Sequence, residues 1–343
     1  MPTIATSTLY LSIATGTIIT MSSHHWLMAW MGLELNTLAV LPIISKTKHP
    51  RANEAATKYF LTQAVPSCLL LLSSIINAWQ TGSWDILQMT NKYASTMMII
   101  ALAMKTGTAP LHFWLPEVMH GSTMYTAMLI STWQKMAPMA LLYSISNHMQ
   151  PVIVLTLGIL STTIGGWGGI NQTQLRKMLA YSSISNLGWA MMVISFEPNT
   201  FTINIMVYIL MMIPTFTILA VTTTKTLQNL SASWTTSPTG TTMLMILLLS
   251  IAGLPPLTGF LPKLLILNEL VTQTLTPLAT ITMMTSLLNL MFYLRTMYMT
   301  TLLNSPGSAT TSMKWRCPTP KTNSTMFAPT AIFSTPTLPN LPI

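Results

Sequence analysis

The chain has 343 residues, 50% of them hydrophobic and 6% charged, where a soluble domain carries about 25% charged residues. So few charges cannot cover a globular surface of this size, and apolar runs long enough to cross a ~30 Å hydrocarbon core recur along the chain. The net charge of +9 comes without any basic run interleaved with aromatics, which excludes an ordinary nucleic-acid face.

In chain order the apolar runs predict spans at 3–21, 24–45, 59–79, 95–115, 123–145, 151–169, 178–196 and 200–222, a long run at 241–272, a span at 277–299 and a weak, proline-bearing one at 325–342. This is the pattern of an all-α, polytopic transmembrane helix bundle, read as one membrane domain over 1–343. Its core covers about 20–300. No charged n-region and small-residue cleavage site precede the first run, so the N-terminus is expected to be mature as written. The long run covers 32 residues, about 48 Å as continuous helix, too long for one straight crossing. It holds Pro255, Pro256, Gly259 and Pro262, which predict two half-helices joined by a break within the membrane.

Alternate crossing assigns the loops to two sides. Lys46, Lys48, Arg51, Lys58, Arg176, Lys177, Lys225, Arg295, Lys314, Arg316 and Lys321 fall on one of them, against Lys92 alone on the other. That bias places the N-terminus on the cytoplasm-like face, which is the matrix side in a mitochondrion. Twelve of the fifteen basic residues are explained by topology alone.

Lys105, Lys135 and Lys263 are not. Each falls near the middle of an apolar run, and Glu34 is the one acid in a comparable position. A basic side chain at a helix centre costs roughly 2.5–3.5 kcal/mol on insertion scales. A lysine stem reaches about 6 Å, while the interface lies about 15 Å from the midplane, so snorkelling does not relieve the cost. Two readings are open. One is a structural ion pair of Glu34 with one lysine, the other lysines capping half-helix carbonyls. The other is a chain of protonatable groups at mid-depth, and the insertion cost favours it. Burial disfavours a charged ammonium and a nearby carboxylate favours it, so motion of Glu34 relative to Lys105 is a means of loading and releasing a proton. His112 titrates in the useful range and is a candidate proton relay toward the basic face; the plainer reading is an interfacial histidine beside Trp114. His24 and His25 open a span beside Trp26 and read as interfacial residues.

A shift of 146 residues aligns "KTGTAPLHFWLPE" with "IAGLPPLTGFLPK", pairing Gly107 with Gly253, Pro110 with Pro256, Pro116 with Pro262, and Glu117 with Lys263. Both copies put helix breakers beside an ionisable group, the pattern by which repeated transporter halves mark an ion pathway. "GGWGGI" (165–170) follows an apolar run and reads as a helix-packing surface rather than a nucleotide loop. Cys68 and Cys317 stand far apart, without the spacing that zinc, an iron–sulfur cluster or c-type haem requires. No metal or cofactor is therefore expected to be held by this chain.

The stretches "GLELNTLA" (32–39), "HPRANEAATKYFLTQA" (49–64), "ALAMKTGTAPLHFWLPE" (101–117), "TWQKMAP" (132–138), "GGWGGINQTQLRKMLAYSSISNLGW" (165–189) and "SIAGLPPLTGFLPK" (250–263) together resemble the antiporter-like membrane-arm subunits of the proton-pumping NADH:ubiquinone oxidoreductase, respiratory complex I, in their animal mitochondrial form. The resemblance implies two inverted five-helix repeats with discontinuous helices, in a chain that lacks the first three spans of bacterial relatives. It implies Glu34 and Lys105 as the charge pair of the first half-channel, Lys135 as the connecting lysine and Lys263 as the terminal lysine of the second. It also implies a multi-pass chain of the mitochondrial inner membrane, partnered by lipids and by other membrane-arm and accessory subunits. NADH, FMN, iron–sulfur clusters and ubiquinone would be used elsewhere in that complex. Two further functions are weighed against this one. A free-standing cation/proton antiporter would favour more mid-depth carboxylates for sodium than Glu34 alone supplies. An inert scaffold predicts no effect of neutralising Glu34 or Lys105.

Overall fold

The structure, a computed structural model, describes residues 3–236 and 238–302. The expected span at 325–342, Cys317 and the basic residues Lys314, Arg316 and Lys321 lie outside the described residues. Among the described residues there are only helices, turns and isolated bridges. In order they are α1 (Thr3–Ser22), α2 (Trp26–Ile44), α3 (Pro50–Thr81), α4 (Lys92–Thr106), α5 (Trp114–Gly121), α6 (Met124–Ser131), α7 (Trp133–Ile145), α8 (Pro151–Ile170), α9 (Leu175–Val193), α10 (Pro198–Val221), α11 (Leu227–Thr236), α12 (Pro238–Ala252), α13 (Phe260–Thr272) and α14 (Thr276–Leu302). Six of these are long and apolar enough to cross a membrane: α1, α2, α3, α8, α10 and α14.

Local chemistry sets the ends. His49 caps α3 by accepting the Arg51 N–H at Nδ1, with Pro50 at the first helical position. The helix therefore begins nine residues before the apolar run at 59–79, because a polar first turn with a good cap is as helical as the lipid-facing part. The run at 95–115 is not one helix. It stops at Thr106, where Gly107 takes φ 81° and donates its N–H to the Ala103 and Met104 carbonyls, a C-terminal geometry that favours glycine. The run at 123–145 is likewise two helices, α6 and α7, interrupted at Thr132. The break expected in 241–272 is present: α12 ends at Ala252, Gly253 takes φ 85°, and α13 starts at Phe260. Pro262 sits in the first turn of α13, where a missing N–H is tolerated. The short helix α11 was absent from the expected spans; its 10 residues reach only about 15 Å, too short to cross.

The chain divides into two compact units, residues up to Ser161 with 191–198, and 162–190 with the described residues from Asn199 onward. They are built on the same plan. In unit 1 the start of α2 pairs with the loop after α3: Trp26 N–H donates to Trp84 O and Ile86 N–H to His24 O. In unit 2 the start of α9 pairs with the loop after α10: Leu175 N–H donates to Lys225 O and Leu227 N–H to Thr173 O. Close helix packing repeats as well. A Cβ on Gly16 would lie 2.6 Å from Asn36 Oδ1, and one on Gly165 would lie 2.9 Å from Ser185 Cβ. These residues, and the starts of α2 and α9, are related by one offset of 149. The two breaks share their opening hydrogen bonds at an offset of 146. Thr108 and Leu254 reach back to Ala103 and Leu249, and Leu111 and Leu257 close onto Thr108 and Leu254. The glycine-rich stretch is a packing surface: Cβ atoms on Gly166, Gly168 and Gly169 would meet Leu288, Tyr181 and Phe292 within 3 Å.

Gly259 is the tightest point of the second break, since a Cβ there would lie 1.8 Å from the Ser250 carbonyl oxygen. Gly259→Ala is expected to prevent the chain from accumulating in membranes. Gly82→Ala, at φ +71° with nothing within 4 Å, is expected to cost only about 1 kcal/mol of backbone strain, read as membrane-retained protein and as a small loss in thermal unfolding.

Candidate functional site

Among the described residues only three basic side chains are buried, and they are Lys105, Lys135 and Lys263, at 6%, 4% and 8% exposure. Each sits within a turn of a helix end. Lys105 is in the last turn of α4, Lys135 in the first turn of α7 just past Thr132, and Lys263 in the first turn of α13. Lys105 is thus at the end of a half-helix rather than at the centre of a continuous one. The reason is the left-handed turn at Gly107, which sequence periodicity does not register.

Unit 1 brings three of the expected residues into one neighbourhood. Lys105 Nζ lies 3.9 Å from Glu34 Oε1, with the lysine side chain 2% and the glutamate side chain 25% exposed. At that distance the contact is Coulombic rather than a hydrogen bond, and at an effective dielectric near 20 it amounts to about 4 kcal/mol. Thr37 Oγ1 donates to Glu34 Oε2 at 3.2 Å, which orients the carboxylate from its own helix. Lys105 and Lys135 both line one cavity of about 20 Å³, room for a water or two. Asn36, Gln63 and Gln134 line it too, and each has a buried amide atom without a protein partner. Buried polar groups without protein partners in a polar cavity are the setting in which ordered water is found.

His112 lies in the break between α4 and α5, 2% exposed, with Nδ1 3.2 Å from the Pro110 carbonyl and its ring against Phe113. It is not among the residues lining the Lys105–Lys135 cavity. Glu117 pairs with Lys58, which also binds Glu54 at 2.7 Å. His25 caps α2 through Nδ1 and stacks on Trp84, a structural role.

Unit 2 holds Lys263 by itself. Its Nζ donates to the Ala252 carbonyl at 2.6 Å and lies 5.9 Å from the Trp189 ring centroid. A second cavity of about 20 Å³ borders it, lined also by Asn186, Asn204, Tyr208 and Gly259. Sequence reasoning missed the amides Asn36, Gln63 and Gln134, and Trp189. The signal for the amides was available, since each interrupts an apolar run; the role of Trp189 depends on which ring lies near the ammonium and had no sequence signal. Among the described residues no group of three or more His, Cys, Asp and Glu side chains gathers as a metal site would need.

A broken element and a buried lysine in each of two similarly built units define an antiporter-like membrane protein. A family model described as NADH:quinone oxidoreductase/Mrp antiporter, TM, matches residues 23–289. Chain 2 of NADH-ubiquinone oxidoreductase from Varanus timorensis is 53% identical over 89% of this chain and 88% of its own length. The Xenopus laevis protein of that name is 49% identical over 92% of each chain, and the Aquarana catesbeiana one 49% identical over 100% of this chain and 98% of its own. The chain belongs to the NADH-ubiquinone oxidoreductase chain 2 family. Its fold is shared with a chain of respiratory complex I from Thermus thermophilus (TM-score 0.82, 23% identity, 96% of this chain and 79% of that one). It is also shared with a chain of the Mrp complex from Dietzia sp. DQ12-45-1b (TM-score 0.80, 18% identity, 87% and 61%).

Removing one partner of a buried pair leaves the other uncompensated, and the two ends here are unequally exposed. Glu34→Gln is expected to destabilise by about 3 kcal/mol, Lys105→Met by less, and the double variant to be more stable than Glu34→Gln alone. Thermal unfolding of the detergent-solubilised assembly measures all three; equal stability of Glu34→Gln and the parent would show that the pair is not coupled.

Proposed function

We propose that this chain is a membrane-arm subunit of a proton-pumping NADH:ubiquinone oxidoreductase, a multi-pass protein of the mitochondrial inner membrane that conducts protons while electron transfer proceeds elsewhere in the complex. One observation carries the reading: Lys105, 3.9 Å from Glu34, also lines a cavity that it shares with Lys135. Glu34 holds the charge of Lys105 in place. When a change in the neighbouring part of the complex draws the carboxylate away or neutralises it, the desolvated ammonium loses its counter-charge and gives up its proton. Water in the cavity, held by Asn36, Gln63 and Gln134, carries it to Lys135. Lys263 takes the corresponding part in unit 2, and His112 supplies protons from the matrix side. Moving one charge against the membrane potential costs about 2.3 kcal/mol per 100 mV, which is within the ~4 kcal/mol that the Glu34–Lys105 contact can exchange. The exposed apolar side chains of α1 and α2, among them Leu11, Ile18, Met28, Met31 and Leu38, are the surface for lipids and for the other membrane-arm and accessory subunits.

Lys105→Met in the intact complex is expected to lower NADH-driven proton pumping in vesicles about tenfold, equivalent to ~1.4 kcal/mol on the limiting step. Pumping at the parental rate in an assembled complex would leave the chain as a scaffold. Liposomes holding the purified chain distinguish the free-standing antiporter: no sodium flux dependent on Glu34 is expected from them, and such a flux would favour that alternative.

The charge bias of the loops supports a matrix-side N-terminus, with Lys46, Lys48, Lys177 and Lys225 on that side and Lys92 opposite. A membrane-impermeant amine reagent is expected to label Lys92 from outside intact mitoplasts, and the others only in inverted inner-membrane vesicles.

A further inference from the structure

The two breaks are built alike, yet the lysines beside them are held differently. At the offset of 149 that relates α2 to α9, Glu34 corresponds to Ser183 and Val40 to Trp189. At the offset of 146 that relates the breaks, Lys105 corresponds to Ile251 and Glu117 to Lys263. Unit 2 therefore carries its ammonium on the other half-helix and has a hydroxyl at the position of the carboxylate. Glu34 pairs with Lys105, and Glu54 and Glu117 with Lys58, whereas the hydrogen bond of the Lys263 ammonium goes to a backbone carbonyl.

A buried ammonium still needs something in place of its hydration shell. Two groups supply it. The Ala252 carbonyl, at the C-terminal end of α12, accepts a hydrogen bond from Nζ at 2.6 Å, so a lysine rooted in the first turn of α13 reaches back to the end of a helix that favours a cation. The lysine stem runs across Gly253, where a Cβ would lie 2.8 Å from Nζ and 2.9 Å from Cδ. On its other side Nζ stands 5.9 Å from the centroid of Trp189, within the ~6 Å at which an aromatic face attracts a cation. Trp189 is 1% exposed, so its ring face is buried beside the ammonium. Neither partner can gain or lose a proton in the working range.

We propose that Trp189 is a positioning residue for Lys263: its ring face, together with the Ala252 carbonyl, is the uncharged counterpart of Glu34 and holds the ammonium at the second break without a carboxylate. The inference rests on the reading that Lys263 transfers protons. Because its partners do not titrate, the charge on Lys263 follows the protons that reach it and not a switching acid in its own unit.

The experiment compares Trp189→Phe, Trp189→Leu and Lys263→Met in the intact complex, by NADH-driven proton pumping in vesicles at equal amounts of assembled protein. Phenylalanine keeps an aromatic face, and leucine keeps only apolar bulk. The Phe variant is expected to pump within about twofold of the parent and the Leu variant about tenfold less, as loss of a desolvated cation–aromatic contact implies. Where the Leu variant does not assemble, Trp189→Met takes its place. Equal behaviour of the aromatic and aliphatic variants, with Lys263→Met still inactive, overturns the role of Trp189 alone. Failure of both aliphatic variants to assemble makes Trp189 a packing residue and also overturns it. Pumping at the parental rate by Lys263→Met overturns the proton-transfer reading instead, and this inference with it.

Discussion

A cation in a hydrocarbon-like interior is tolerable only where something polar stands in for its lost water, and that requirement organises the fold around the three buried lysines. Intact helices satisfy their own carbonyls and have little to offer an ammonium. A helix end inside the membrane leaves backbone groups free, and each buried lysine sits within a turn of such an end. The glycines at 107 and 253, both in the left-handed region, stop a helix without leaving its end unpaired, because the N–H groups that follow turn back onto the last carbonyls. Irregular backbone at this depth is stable only when enclosed by protein or beside water. The cavities that border Lys105 and Lys263 meet that condition.

The same plan occurs twice and is used differently each time. In unit 1 the ammonium faces a carboxylate that is itself partly exposed, and such a pair can be made and broken by movement of the acid. In unit 2 a carbonyl and an indole face the ammonium, and neither carries a charge that a conformational change could neutralise. On the proposed reading, the responsive element is in the first unit and the second offers a fixed seat. The two breaks carry matching hydrogen bonds, and the units differ at Glu34/Ser183 and Val40/Trp189.

Much of this was legible in the residues. Low charge and repeated apolar runs are enough to specify a membrane bundle, because bilayer thickness sets one length scale for every span. Proline and glycine at 253–262 announced a break, and the alignment of Gly107 with Gly253 put helix breakers in the run at 95–115 as well, although that run was expected to be one span. Glu34, Lys105, Lys135 and Lys263 stood out through the energetic cost of their depth alone. The polar start of α3 and the short helix α11 were not legible, since hydropathy registers lipid-facing surface and neither element has it.

What the chain by itself determined, then, was which residues are expensive to bury, since that depends only on side-chain chemistry and on depth within an apolar run. Which of them share a cavity was decided only by tertiary structure. Glu34 and Lys105 are 71 positions apart and Lys105 and Lys135 another 30, and only the packing of α2, α4 and α7 brings them to one place. The same is true of Trp189 and Lys263: the meeting of a ring face with an ammonium at 5.9 Å is a property of two helices in contact, and neither local sequence carries any trace of it.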